Sequence, residues 1–317
     1  MNTRTLFYLP LLFITMTLGA QRSTAALAAE DRRALDEARV SMTALLSTVY
    51  TDSSETARFT ACRDLIRELV TALDRSHSFT YDFSALPGLS VQYPPDSTFR
   101  VFTWELNVDR DQYRHYGAIQ KNAVQLELFP LLDRGDEWLE NPENAVVGAD
   151  NWLGYAVYRL LEGGIHQDRP YYFVLGYDSY GTYRRRKVLD VLHFDATGKP
   201  KFGLPVFETY TDSDLLLSDR ARIILEYGAE ATVALRYDED LGGIVYENLI
   251  MVPGNYGEGP VNMPDGSYHL LKMTPAGLWR EEEQVFTHKY EEAPREVAKP
   301  DEGLDLIGRS RRGGGRR

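Results

Sequence analysis

The chain has 317 residues, of which 43% are hydrophobic and 26% are charged, a composition typical of a folded globular protein. Its formal net charge of −12 argues against nucleic acid and anionic lipid as partners, because an acidic surface repels both. Cys62 is the only cysteine, so no intramolecular disulfide can form, and a chain of this length is expected to rely on its own core.

Residues 1–20 are predicted to be a secretory signal peptide. Arg4 gives a weakly basic start, the run from Leu6 to Leu18 is apolar, and Gly19 and Ala20 are small, as signal peptidase requires. The apolar run is shorter than the roughly 20 residues that span a bilayer. We therefore expect export to the periplasm, with the cell surface or the medium as the alternative, and no transmembrane span after signal removal. An uncleaved N-terminal anchor is the competing interpretation.

Residues 21–75 are predicted to form an α-helical hairpin, from about Glu30 to Leu73. Apolar residues recur at helical spacing in two stretches, and the turn residues between them include Ser54, a suitable N-cap. The hairpin is expected to pack onto the body, and a partner-binding arm is the alternative. The two apolar stripes are Leu35, Ala38, Met42, Leu45, Leu46 and Val49, and Phe59, Cys62, Ile66, Leu69, Val70 and Leu73.

The remainder is predicted to be mainly β. Residues 76–98, with several prolines, are interpreted as a linker, and residues 99–290 as an antiparallel β domain, because short strands alternate with turn signals about every ten residues. A barrel-like or strongly curved sheet is the first choice of architecture, and a partial propeller or a sandwich is the second. Residues 291–317, rich in arginine and glycine at the end, are predicted to be a disordered tail.

Several strings in the β domain resemble those of an uncharacterised family of exported proteins of Bacteroidota-type bacteria. They extend from roughly Pro95 to Trp279 and include PDSTFRVFTWEL, YRHYGAIQ, DNWLGYAVYRL, YYFVLGYD and RRKVLDVLHFDATGKPKFGLPVF. The resemblance implies an export signal and a repetitive β-hairpin body. It implies no activity and no functional residues. The arginine-glycine tail departs from the family's pattern.

The search for catalytic residues gives only weak candidates. The string GYDSYG at 176–181 lacks the spacing of a nucleophile elbow, so Ser179 is interpreted as part of a hairpin turn. Acidic residues at strand ends could form a carboxylate-based hydrolase site, and Asp150, Asp178 and Asp238 are the candidates.

No metal site and no cofactor are predicted, because no two of the six histidines are spaced as metal ligands and one cysteine cannot build a thiolate site. The remaining alternative is a zinc site assembled across strands. The basic run of Arg184, Arg185, Arg186 and Lys187 is interpreted as a charged strand edge, and an anion-binding site is the alternative.

Together these features favour an exported envelope protein that binds a partner, either an envelope protein or a glycan, or has a structural role without catalysis. Nucleic acid is not expected as a partner. The alternative is an exported hydrolase that acts on a glycan or an ester.

Overall fold

The structure is a computed structural model that describes residues 27–109, 111–137, 141–210, 215–254, 257 and 259–282. The predicted signal peptide (1–20) and tail (291–317) lie outside the described residues, so both stay predictions. Across the described part of the chain, no helix is long and apolar enough to cross a membrane.

The chain divides into two compact units. One comprises Met1–Leu89 with Gln120–Leu128, and the other comprises Ser90–Ile119 with Phe129–Arg317. The first is called the helical unit and the second the strand unit.

The helical unit contains α1 (Ala29–Thr51) and α2 (Glu55–Leu73), which confirms the predicted α-helical hairpin. Ser54 caps α2, because its side chain accepts a hydrogen bond from the backbone N–H of Ala57. The apolar stripe of α2 differs from the prediction: Phe59 and Val70 are exposed. The buried face of α2 is rotated about the helix axis relative to the predicted stripe. It includes small residues, which a search for large apolar side chains does not detect. Its buried residues are Ala61, Cys62, Leu65, Leu69, Ala72 and Leu73.

The segment that follows α2 is packed within the helical unit. A short 3₁₀ helix, Ser78–Thr80, begins it, and Phe83 is fully buried. The hydroxyl of Tyr81 donates a hydrogen bond of 2.7 Å to Asp36. The first part of the region interpreted as a linker therefore contributes core side chains to this unit.

The prediction of a mainly β, antiparallel protein is confirmed. The strands are β1 (Ser90–Gln92), β2 (Phe99–Asp109), β3 (Gln112–Lys121), β4 (Leu128–Leu132), β5 (Val147–Gly148), β6 (Ala156–His166), β7 (Arg169–Asp178), β8 (Arg184–Phe194), β9 (Pro200–Phe202), β10 (Phe207–Tyr210), β11 (Leu216–Arg220), β12 (Ile223–Gly228), β13 (Leu235–Asp238), β14 (Gly243–Val252), β15 (Val261–Met273) and β16 (Trp279–Glu282). Two more 3₁₀ helices, Gly135–Glu137 and Ala149–Asn151, lie between β4 and β6.

These strands form three sheets. The first has the order β1-β2-β3-β4, the second β5-β9-β8-β7-β6 with β12 also paired to β8, and the third β11-β10-β16-β15-β14-β13. Most pairs are antiparallel, such as β7 with β8, whereas β10 and β16 run parallel. In each sheet the first and last strands of the order do not pair with each other, so the described strands form no closed barrel.

The second sheet is the middle layer of the strand unit. Along β7, Phe173 and its alternate neighbours belong to a core cluster that includes Ile244 of the third sheet. Tyr172 and Val174 belong to another cluster that includes Phe99 of the first sheet. Because β7 is buried on both faces, its sequence is almost continuously hydrophobic instead of alternating.

A buried ion pair ties loops to this middle sheet. Arg222 and Asp190 are both fully buried, and Nε of Arg222 lies 3.1 Å from Oδ1 of Asp190. Tyr155 donates a hydrogen bond of 3.0 Å to the other oxygen of Asp190. The guanidinium of Arg222 also donates to the carbonyls of Pro142 and Ala145. Together these contacts offset part of the cost of burying the two charges.

Candidate functional site

Three potential metal ligands from different parts of the strand unit converge on one point. Glu105 lies on β2, His115 on β3, and Asp178 at the end of β7, and one ligand atom from each lies within 4.8 Å of the others. Nε2 of His115 is 3.1 Å from Oε2 of Glu105 and 3.8 Å from Oδ1 of Asp178. Oδ2 of Asp133 lies 3.6 Å from Nδ1, on the other side of the ring. These four residues are called the His115 cluster.

Asp133 is held by the backbone around it. Its Oδ2 accepts a hydrogen bond of 2.8 Å from the backbone N–H of His115, and its Oδ1 accepts one of 3.0 Å from Gly135. Gly154 leaves the space that this carboxylate occupies: its φ is +83°, and an added Cβ would lie 2.3 Å from Oδ1 of Asp133. A side chain at position 154 would therefore be strained and would displace Asp133.

The turn after β7 supplies one member of the cluster and fixes another. Oδ1 of Asp178 accepts a hydrogen bond of 2.8 Å from the backbone N–H of Tyr180. The hydroxyl of Ser179 donates one of 2.8 Å to Oε1 of Glu105. Tyr180 itself has a φ of 50°, a conformation that costs a non-glycine residue roughly 1–3 kcal/mol. Strain of this kind is common at functional sites.

Arg186 lies next to the cluster on β8. It pairs across the sheet with Asp178 on β7 and with Glu226 on β12, so the arginine stands between two carboxylates. Its guanidinium packs against the ring of Tyr180, with 3.3 Å between Cζ and the ring centroid. Nε and Nη2 donate hydrogen bonds of 3.0 and 2.8 Å to Glu226. Arg186 is therefore held in one position.

The electrostatics of the cluster favour positive charge at His115. Burial alone would lower the pKa of His115, because a buried imidazolium loses its hydration. The nearby carboxylates of Asp133, Glu105 and Asp178, of which Glu105 is hydrogen-bonded to the ring, outweigh burial and raise the pKa from 6.5 to about 9.

The three carboxylates respond differently to the same environment. Burial raises the pKa of Asp178, although the charge of His115 opposes it. Burial would also raise the pKa values of Glu105 and Asp133, but their hydrogen bonds to His115 outweigh it and lower both pKa values. Asp178 is thus the member of the cluster whose negative charge is least compensated.

A small polar cavity adjoins the cluster. Its volume is about 60 Å³, and its charged lining residues are Asp111, Arg114, His115, Asp133, Asp178 and Arg186. This volume is far below the roughly 300–1,000 Å³ of pockets that enclose drug-sized ligands. It is enough for about four water molecules. The cavity therefore suits an ion with its remaining ligands, or one small polar group.

The cluster fits a divalent transition-metal ion. With bonds of about 2.0–2.2 Å to nitrogen and oxygen, two ligands of a tetrahedral zinc lie about 3.4 Å apart. The distances of 3.1 and 3.8 Å from His115 to Glu105 and Asp178 bracket this value. Asp133 stands at the other ring nitrogen, where a carboxylate commonly orients a ligating histidine. With three protein ligands, such an ion would have a further coordination position for a small molecule in the cavity.

The structure separates the three acidic candidates that the sequence suggested. Asp178 belongs to the His115 cluster. Asp150 is exposed, in the 3₁₀ helix before β6. Asp238 ends β13 in the third sheet, where it pairs with Arg236 at 3.2 Å. The three do not form one carboxylate site.

The basic run is likewise divided among different contacts. Of its four residues, only Arg186 lines the cavity beside the cluster. Arg184 forms an ion pair of 2.8 Å with Glu226. Arg185 donates to the carbonyls of the turn after β7, including that of Ser179 at 3.0 Å. Lys187 lies over the ring of Tyr158, with 5.6 Å from Nζ to the centroid.

Sequence reasoning missed Glu105, His115 and Asp133, because they are far apart from Asp178 along the chain and none carries a local motif. The geometry favours the alternative that the sequence left open, a metal site assembled across strands. A usable signal is that FRVFTWEL and YRHYGAIQ are consecutive strand-like strings separated by a short polar loop, since a hairpin between them brings Glu105 and His115 to neighbouring strands.

A second histidine–carboxylate pair lies in the third sheet. Nδ1 of His269 contacts Oε1 of the buried Glu281. The same carboxylate accepts hydrogen bonds from the hydroxyl of Tyr246 at 3.0 Å and the backbone N–H of Tyr210 at 2.8 Å. Nε2 of His269 lies 3.0 Å from Oδ1 of Asn248. Among the described residues, three potential metal ligands converge at His115 but not at His269, so this pair is interpreted as a structural network.

Comparison with known proteins adds no family to this geometry. No protein-family model matches the chain, and no curated protein matches it either. The resemblance to exported β-rich proteins stays a prediction, and the assignment of function rests on the geometry of the His115 cluster.

Proposed function

We propose that this protein binds a divalent transition-metal ion, with Glu105, His115 and Asp178 as its ligands. The observation that carries the proposal is the convergence of one ligand atom from each of these residues to within 4.8 Å. One imidazole nitrogen and two carboxylate oxygens suit Zn²⁺, and they also suit Mn²⁺ or Fe²⁺.

The charges around the cluster support a cation at this point. Carboxylate oxygens of Glu105, Asp133 and Asp178 lie 3.1, 3.6 and 3.8 Å from the ring nitrogens of His115. Arg114 and Arg186 line the adjoining cavity. Carboxylates that meet at one buried point repel one another, and a cation between them compensates this repulsion. A divalent ion bound to a neutral His115 provides that compensation.

Export is proposed together with metal binding, on the strength of residues 1–20. In the periplasm, the protein would bind its metal outside the cytoplasm, with the cell surface or the medium as alternatives. N-terminal sequencing of the secreted protein tests this: a mature chain that begins at Gln21 supports export, and an intact Met1 contradicts cleavage.

A second candidate function is an exported metal-dependent hydrolase. It is favoured by the coordination position that three protein ligands leave next to a cavity of about 60 Å³. A bound divalent ion would supply Lewis acidity at that position. Asp133 would keep the ring of His115 oriented, and Ser179 would hold Glu105. A metal-free inverting glycosidase fits less well, because its carboxyl groups stand roughly 6.5–9.5 Å apart.

Titration of the untagged, chelator-treated protein with Zn²⁺, followed by calorimetry, tests the proposal. The expected result is one zinc per chain. Asp178→Asn and Glu105→Gln should each weaken zinc binding by more than the roughly 10–100-fold that loss of an outer partner costs. His269→Gln is the matched control, because it removes a carboxylate-paired histidine outside the cluster, and it should leave the zinc affinity unchanged.

Two results would contradict the metal site. One is the absence of stoichiometric binding of Zn²⁺, Mn²⁺ or Fe²⁺ by the folded wild-type protein. The other is binding that His269→Gln abolishes and Asp178→Asn does not affect. Near-ultraviolet circular dichroism of each variant separates loss of ligands from loss of fold.

A further inference from the structure

We propose that the metal site accepts a compact oxyanion, a phosphate or carboxylate group, held between the metal ion and Arg186. The inference rests on the proposed metal site and goes beyond it, because it names the chemical class of the second ligand. Its basis is the position, hydrogen bonding and charge of Arg186.

Arg186 is positioned before any ligand arrives. Its side chain is only 19% exposed, its guanidinium packs on the ring of Tyr180, and Glu226 accepts from Nε and Nη2. Among the described residues, Nη1 of Arg186 makes no hydrogen bond. A guanidinium fixed at one edge and open at another loses little conformational entropy on binding an anion.

The pairing of Glu226 leaves positive charge beside the cavity. Arg184 and Arg186 share this single carboxylate, with contacts of 2.8 Å each. One of the two positive charges is therefore not balanced by Glu226. Across the sheet, Asp178 is the other neighbour of Arg186, and a metal ion bound to Asp178 would neutralise it. Metal binding thus makes the surroundings of Arg186 favourable for an anion.

The size of the cavity restricts the anion. A space of about 60 Å³ accommodates one phosphate or carboxylate group but not a whole sugar or nucleotide. Two of the proposed metal ligands, His115 and Asp178, line this space together with Arg186, so an anion there could contact both a bound metal ion and the guanidinium. The group could belong to a free ion or form the end of a larger molecule.

Calorimetric titration of inorganic phosphate into the Mn²⁺-loaded and the chelator-treated protein tests the inference. We expect phosphate to bind the loaded protein at least tenfold more tightly, and phosphate to raise the affinity for Mn²⁺ by the same factor, as linkage requires. Arg186→Gln should weaken phosphate binding roughly 10–100-fold, the range expected for one charge-assisted hydrogen bond. Parallel titrations with acetate and glycerol phosphate distinguish a carboxylate from a phosphate, and a free ion from the end of a larger molecule.

Arg184→Gln is the matched control, because it removes the other arginine on Glu226 without touching the cavity. Because Glu226 would then balance Arg186 alone, this variant should weaken phosphate binding, but by less than Arg186→Gln, which also removes the contact to the anion. Arg186→Lys keeps the charge and should retain part of the affinity, which separates a lost anion contact from a disturbed fold.

The possible failures are distinguishable. If Mn²⁺ and Zn²⁺ both bind as proposed but no oxyanion binds the loaded protein, the oxyanion inference is wrong and the metal site stands. The same holds if phosphate binds equally well to Arg186→Gln. If neither metal binds, the metal site itself is wrong, and the oxyanion inference falls with it.

Discussion

Replacing Asp190 by asparagine tests how the strand unit is held together. The substitution keeps the shape of the side chain and an oxygen that can accept from Tyr155, but it removes the charge that faces Arg222. Both partners are fully buried at a separation of 3.1 Å, so solvent cannot screen the charge left on Arg222.

Breaking a buried ion pair by removing one partner typically costs about 3–5 kcal/mol. Because a domain has a free energy of unfolding of only about 5–15 kcal/mol, Asp190→Asn should remove about a fifth or more of the stability of the strand unit. The double variant Asp190→Asn/Arg222→Met should lose less than the sum of the two single variants, since no unpaired charge remains. The recovery should be partial, because the carbonyls of Pro142 and Ala145 then lose their donor.

Urea unfolding monitored by tryptophan fluorescence measures this effect in the relevant unit. All four tryptophans fall in Ser90–Ile119 with Phe129–Arg317, so the helical unit does not contribute to the signal. Asp168→Asn is the control, because Asp168 is exposed in the turn between β6 and β7 of the same sheet, and the unfolding midpoint of this variant should stay near that of the wild type. A loss below about 1 kcal/mol for Asp190→Asn, the value of a surface pair, would refute the reasoning.

Three further predictions concern pH, metal affinity and backbone space. Burial would raise the pKa of Glu281, but hydrogen bonds from His269, Tyr210 and Tyr246 outweigh burial and lower that pKa below its ordinary 4.5. The contribution of the Glu281 carboxylate to stability is therefore present above pH 4.5 and is lost as the pH falls through the lowered pKa. The difference in free energy of unfolding between wild type and Glu281→Gln should therefore be largest near pH 7 and shrink below pH 4.5 in urea titrations. Asp133→Asn should weaken zinc binding roughly 10–100-fold in calorimetry, because the oriented ring of a ligating histidine loses its carboxylate. Gly154→Ala should weaken zinc binding as well, since its Cβ would displace Asp133.

A control variant or a contradicting result tests each of these three predictions. Glu282→Gln changes an exposed neighbour of Glu281, and its effect on stability should not vary with pH; a pH-independent effect of Glu281→Gln would contradict the assignment. Unchanged zinc affinity in Asp133→Asn would show that Asp133 does not orient the histidine. For Gly154→Ala, unaltered affinity in a normally folded protein would mean that Asp133 can move without cost to the site.

The sequence predicts the fold class well where a pattern is local. Helical periodicity and the cap at Ser54 identify the hairpin, and turn residues separate the strands. The layer order could not be predicted, because it depends on which face each strand buries. A strand such as β7 is buried on both faces and carries no alternation, and the parallel pairing of β10 with β16 joins segments about 70 residues apart.

The candidate site was less predictable than the fold. The sequence identifies Asp178 as a candidate because it ends a strand, but its partners lie on β2, on β3 and directly after β4. Only the packing of the first sheet on the second brings His115 and Asp178 together. Arg186 was part of a basic run whose four residues looked equivalent, and cross-strand pairing alone distinguishes it from its neighbours.

Anomalous diffraction at the zinc absorption edge, from crystals of the zinc-loaded protein, tests the central claim most directly. The account predicts one strong peak per chain, within bonding distance of Glu105, His115 and Asp178, with Asp133 at the far nitrogen of the ring. A chain without such a peak, or one whose only peak lies at His269 or elsewhere, would contradict it.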